Sequence, residues 1–111
     1  FVTEETIKTK PELVTRFLRA TLKGWQYAIE HEDEAVTTTL KYATKSTKVH
    51  EAYMLKTSIP LIHTGTSPIG TMEAKQWEQV QNILLEQKIL DKPIKVEEAY
   101  TLKFLDMIYK K

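Results

Sequence analysis

Three histidines are the side chains of this 111-residue sequence that ordinarily titrate near neutrality, and each has neighbours that could make it chemical. His31 is followed by Glu32, Asp33 and Glu34, residue types found at zinc and other divalent-cation sites. Consecutive helical residues point about 100° apart, so four in a row cannot converge on one ion. The same run makes a good helix start, because the positive end of a helix favours carboxylates in its first turn. The helix start is the assignment the sequence favours.

His50 with Glu51 or Tyr53 could form an acid–base pair. No third group stands at a spacing that would orient it, and a solvated histidine on an amphipathic helix is expected instead. His63 lies in a run with Thr64, Gly65, Ser67 and Gly70, and loops on rigid scaffolds often carry function. A plain turn between helices is the expectation, since neither Gly-Thr-Gly nor Ser-Pro-Ile-Gly has the lysine and spacing of a phosphate loop. Trp25 and Trp77 could stack on a planar ligand, but among Leu, Val and Ile at helical spacing they are expected as core anchors. No serine–histidine–acid set can be assembled. The sequence thus assigns no catalytic residue, no metal ligand, no cofactor and no ligand contact.

Composition narrows the function classes. Sixteen Lys and Arg stand against 15 Asp and Glu, for a net charge of +1, and the basic residues are scattered from Lys8 to Lys111. Nucleic-acid binding needs a concentrated basic face, so that class is set aside. The absence of cysteine removes disulfide scaffolds, Cys-ligated zinc, iron–sulfur clusters and thiol nucleophiles together, while leaving the redox compartment open. No apolar run approaches the roughly 18 residues of a membrane span. The first residues do not have the basic, apolar, small-residue pattern of a leader, so if the full protein is exported its signal is expected outside this chain. Phe1 in place of an initiating Met suggests a processed or excised segment.

The elements that must position these residues read as helical almost throughout. Leu13, Val14, Phe17, Leu18, Leu22, Trp25, Ala28 and Ile29 recur at intervals of three and four from Pro11 to Glu30, which predicts a long amphipathic helix opened by Pro11. Gly24 inside it costs up to ~1 kcal/mol relative to Ala, which suggests a closely passing backbone. Phe1 and Val2 look like the end of a strand, with Thr3 capping a short turn through Ile7. A second helix from Glu32 turns Ala35, Val36, Leu40 and Ala43 inward. A third, capped by Ser46 or Thr47, carries Val49, Ala52, Tyr53, Leu55 and Ile59 inward and ends or kinks near Ile59 at Pro60. Leu61 to Gly70 reads as a loop. A fourth helix opens at Thr71 or Glu73 and runs to about Gln87, with Trp77, Val80, Ile83 and Leu84 on one side. After a break at Asp91, Lys92 and Pro93, a last helix covers Glu97 to Tyr109 and buries Tyr100, Phe104, Leu105 and Ile108. The fold class predicted is all-α, with about five helices joined by short connectors.

The order of motifs along the chain is more specific than any one of them. Pro11-Glu12-Leu13-Val14, then Arg16, Phe17 and Arg19, Ala20-Thr21 with Gly24-Trp25, and Asp33-Glu34-Ala35 are followed by Ile69-Gly70-Thr71-Met72, Trp77, Leu84-Leu85, Ile89, Pro93, Tyr100-Thr101 and Phe104-Leu105. This series resembles the C-terminal part of bacterial periplasmic substrate-binding proteins of the thiamine-pyrimidine-precursor, taurine and alkanesulfonate type, which serve ABC importers. Relatives commonly carry a second proline where Glu32 stands, and a complete receptor is roughly two to three times longer, as two α/β domains require.

The resemblance implies that residues 1–111 are a C-terminal helical segment of a two-lobed α/β fold of the type II periplasmic-binding-protein class. The whole protein would capture a small nutrient between its lobes for an importer permease, at the periplasmic or extracellular face of the membrane and without catalysis. A eukaryotic branch of the fold makes the thiamine pyrimidine with a cysteine-rich iron motif, and the cysteine-free chain leans toward a receptor. A stand-alone helical interaction module is the alternative, and a pyrimidine-synthesising enzyme fragment comes third. Helices shaped to cover a sheet would leave apolar surface bare in the segment, so self-association is expected.

Overall fold

A computed structural model describes residues 1–63 and 65–110. The described residues form six α-helices, α1 (Glu4–Thr9), α2 (Pro11–Glu30), α3 (Glu32–Leu40), α4 (Lys48–Ile62), α5 (Ala74–Glu86) and α6 (Lys103–Tyr109), with one 3-10 turn at Val96–Glu98. No strand occurs among the described residues. The all-α class expected from the periodicity is the class observed. Two compact units divide the chain, Phe1–Gly70 and Thr71–Lys111.

In the first unit, α1 packs on α2, α2 on α3, and α3 on α4. The Thr3 hydroxyl accepts from the Thr6 backbone N–H at 3.2 Å, and Pro11 occupies the first turn of α2 as its missing N–H allows. His31 breaks α2 from α3, and Glu32, Asp33 and Glu34 fill the first turn of α3. The buried residues are Thr15 and Leu22 of α2 and Val36 of α3. Thr15 is satisfied by donating to the Pro11 carbonyl at 3.0 Å. Thr47, not Ser46, caps α4, accepting from the His50 N–H at 3.3 Å, while Ser46 Oγ is buried without a partner.

The second unit holds α5, the 3-10 turn and α6, with Val96, Phe104 and Leu105 buried. A reciprocal capping box between Glu73 and Gln76 opens α5. It closes in a Schellman motif, in which Lys88 N–H reaches the Leu85 carbonyl at 3.0 Å and Ile89 N–H the Leu84 carbonyl at 2.8 Å. Lys88 carries the left-handed φ of 56° that glycine usually supplies at this position. The Ile94 N–H donates to Gln81 Oε1 at 2.7 Å, tying the connector to α5, and the Trp77 and Tyr100 rings stack with centroids 5.4 Å apart.

Several expectations are corrected. Phe1 and Val2 form no strand and are exposed, since no edge is present to pair their backbone. Pro60 does not end α4, which continues to Ile62; near a helix end the bond that Pro60 removes is one of few still to be made. Val49 and Tyr53 do not face inward. They are 81% and 67% exposed, because the covered side of α4 is the one carrying Glu51, Ala52, Leu55, Ser58, Ile59 and Ile62. Val80 and Ile83 are exposed as well, while Trp77, Gln81, Leu84 and Leu85 are half-buried. The predicted last helix divides into the 3-10 turn and α6, but Tyr100, Phe104, Leu105 and Ile108 are covered as expected. Gly24 has no close backbone neighbour: an added Cβ would meet nothing within 4 Å.

The surface is larger than a self-contained chain needs. The protein exposes 9296 Å², whereas a compact monomer of 12.9 kDa exposes about 6,300 Å². Even two separately compact bodies of the sizes of the two units would expose only about 7,600 Å². Five large hydrophobic side chains are buried among the described residues, while Phe1, Phe17, Tyr42, Val49, Tyr53 and Leu61 are each more than 60% exposed. These helices have apolar faces with nothing on them.

Candidate functional site

One concave feature of the first unit is an open groove of about 430 Å³ between α2 and α4, floored by α3. Two registers of α2 explain it. Thr15, Leu18, Leu22, Trp25 and Ile29 form an inner seam in which Thr15 and Leu22 are buried. The adjacent seam, Val14, Phe17, Thr21, Gly24 and Ala28, turns outward, and its last three members line the groove with Trp25. The far wall is Glu51, Met54, Leu55 and Ser58 of α4, and the floor is Ala35, Val36 and Thr39 of α3. Glu51 is the one titratable group lining it, so the groove can hold apolar or small polar matter but contains no acid–base pair.

The candidate chemical residues lie elsewhere. His31 ends α2 with its ring stacked on Tyr27, centroids 4.1 Å apart and planes 12° from parallel. Its Nδ1 lies 3.0 Å from the Tyr27 carbonyl oxygen, which can only accept, so Nδ1 carries the hydrogen. The Tyr27 hydroxyl donates to Glu34 Oε2 at 2.8 Å. His31 and Glu34 are therefore both engaged with Tyr27, as a latch across the α2–α3 corner. Among the described residues no group of three or more His, Asp or Glu could hold a metal ion.

That latch has a pH signature. The Tyr27 hydroxyl is held above its ordinary value of 10.0, first by its hydrogen bond to Glu34, then by desolvation and by the carboxylate charge. A raised folded-state pKa means that the bond contributes fully below pH about 10 and is lost as pH rises through the raised value. Resolved NMR titration should place Tyr27 ionisation above that of a free tyrosine, and Glu34→Gln should bring it back toward the ordinary value. An unchanged midpoint in the variant would remove Glu34 as the cause.

His50 is exposed and its side chain makes no hydrogen bond to Glu51 or Tyr53; the three do not assemble. His63 is exposed and closes α4 through its backbone N–H to the Ile59 carbonyl at 2.8 Å. Gly65 and Gly70 carry φ of 79° and 89°, so both sit in turns that favour glycine. Thr64, weighed with His63, lies outside the described residues. Trp77 is half-buried against Tyr100, as an anchor should be, but Trp25 is 42% exposed at the groove and is only partly covered. Sequence reasoning missed the groove itself, although the second apolar register of α2 was a signal that could have found it.

A family model described as "NMT1/THI5 like" matches residues 1–35. The riboflavin-binding protein RibY of Chloroflexus aurantiacus is 26% identical over 110 residues, covering 94% of this chain and 31% of the relative. The formylaminopyrimidine-binding protein of Halalkalibacterium halodurans is 26% identical over 102 residues, covering 88% of this chain and 31% of its own length. The chain thus spans about a third of the length of the curated relatives it matches. No solved structure matches. The likeness to substrate-binding proteins carried by the motifs is met by both relatives, each of which is named as a binding protein.

Proposed function

We propose that this chain is the C-terminal helical segment of a two-lobed solute receptor, which captures a small nutrient, a thiamine pyrimidine precursor or a sulfonate-like compound, and delivers it to an ABC importer permease. One observation carries the reading: the similarity extends over nearly the whole chain, yet covers only 31% of each binding protein. The bare apolar faces agree with it, because helices that clothe a larger α/β body need not close on one another. Both relatives being named for binding supports a receptor without catalysis. No helix among the described residues is long and apolar enough to cross a membrane, and placement at the periplasmic or extracellular face follows from the receptor role. Separated from the rest of such a body, the segment self-associates through its apolar surface.

Calorimetric titration of the full-length polypeptide tests the function. With riboflavin, a formylaminopyrimidine and taurine as probes, saturable heat is expected from one class in the full-length protein. The 111-residue segment should give no heat with any of them, since a cleft between lobes needs both lobes. Saturable binding to the segment alone would contradict the proposal, as would no binding by the full-length protein to any probe together with turnover of one.

A further inference from the structure

The groove between α2 and α4 has the make-up of a small-ligand site. Its walls, Thr21 to Ala28 of α2 and Glu51 to Ser58 of α4, each place residues i, i+3, i+4 and i+7 on one helix face. At 1.5 Å of rise per residue, each wall is about 10 Å long. Clefts that hold small molecules are mostly apolar, with a few polar groups, and run from about 300 to 1,000 Å³, so the 430 Å³ here is in range. Gly24 keeps the α2 wall open: a Cβ there would meet nothing within 4 Å. Beside it Trp25, 42% exposed, gives the groove indole surface, and an indole face attracts cations.

The one charge in the groove is uncommitted. Glu51 is half-buried, and its carboxylate has no hydrogen-bond or ion-pair partner among the described residues, Lys48 three residues earlier included. It stands first in the α4 row, at the end of the groove that opens to the α3–α4 corner. A neutral apolar occupant would strip water from that carboxylate and leave it unpaired, which is costly. An ammonium would pair with it through a charge-assisted hydrogen bond. We infer that the groove binds a small organic cation with an apolar body, its ammonium on Glu51 and its body along Met54, Leu55 and Trp25. An arylalkyl primary amine matches the length of the walls. This inference rests on the groove alone and not on the receptor reading, so the two fail separately.

NMR titration of the nitrogen-15-labelled chain with phenethylammonium chloride is the test. The chain has two tryptophans: the Trp25 indole N–H signal should shift saturably, while that of Trp77, in the other unit, stays in place. Phenethyl alcohol, the uncharged analogue, should bind about tenfold more weakly or worse, equivalent to ~1.4 kcal/mol. That preference for the cation should vanish in Glu51→Gln. Gly24→Leu, which puts a side chain into the groove, should abolish the shift; if it loses helical circular dichroism, the Glu51→Gln result decides. In the full-length polypeptide the Trp25 signal should respond as it does in the segment. No saturable shift at Trp25, equal binding of the two probes, a cation preference that survives Glu51→Gln, or a Trp25 response lost in the full-length polypeptide because its remainder fills the groove would each overturn the proposal.

Discussion

Phe104→Ala should abolish most of the stability of the second unit, with a loss of about 3–5 kcal/mol. Phe104 is 4% exposed and shares the interior of Thr71–Lys111 with Val96 and Leu105. A body of this size holds only a few kcal/mol in total, at roughly 0.05–0.15 kcal/mol per residue. Removing the largest of three buried side chains leaves a cavity that so small a core cannot refill. Trp77, stacked on Tyr100 in the same unit, is the reporter, read in a Trp25→Phe background so that it fluoresces alone. Its emission should shift to the red in the variant without denaturant, and the urea midpoint should fall toward zero. A loss below about 1 kcal/mol would mean that Phe104 does not anchor this core.

Much of this fold was legible because local rules and packing agree. Pro11, the three acids after His31, and the apolar set from Leu13 to Ile29 place α2 and α3 within a residue or two of where they lie, since first-turn proline, helix-end charge and 3.6-residue periodicity act locally. Phe104 and Leu105 were identifiable as core for the same reason. What failed depends on partners. Val49 and Tyr53 satisfy an apolar pattern, but α4 is apolar on two sides, and periodicity cannot say which side meets α3. Gly24 shows the same limit: the sequence marks a backbone needing room, and the structure leaves that room empty. The candidate site was less legible still, because a groove between α2 and α4 is made by how three helices cross, and no motif encodes it. The histidines drew attention by type alone, and two of the three serve as helix ends.

The second large effect concerns a side of α4 that is bare within the described residues of the first unit. Tyr53 and Leu61 of α4 are 67% and 85% exposed, and neither lines the groove. If these helices clothe a larger α/β body, this is surface that the remainder of the receptor buries, and each such side chain contributes about 1.5–3 kcal/mol on being covered. Val49 stands one turn before Tyr53 on the same face and would add to that cover. Hydroxyl-radical footprinting read by mass spectrometry, on the full-length polypeptide beside the isolated 111-residue chain, measures that cover side chain by side chain. Tyr53 and Leu61 should label readily in the isolated chain and be protected many-fold in the full-length protein, with Lys110 at the far terminus labelling alike in both. Equal labelling of Tyr53 and Leu61 in the two proteins would show that these faces were made for solvent, and the receptor-segment account would fall.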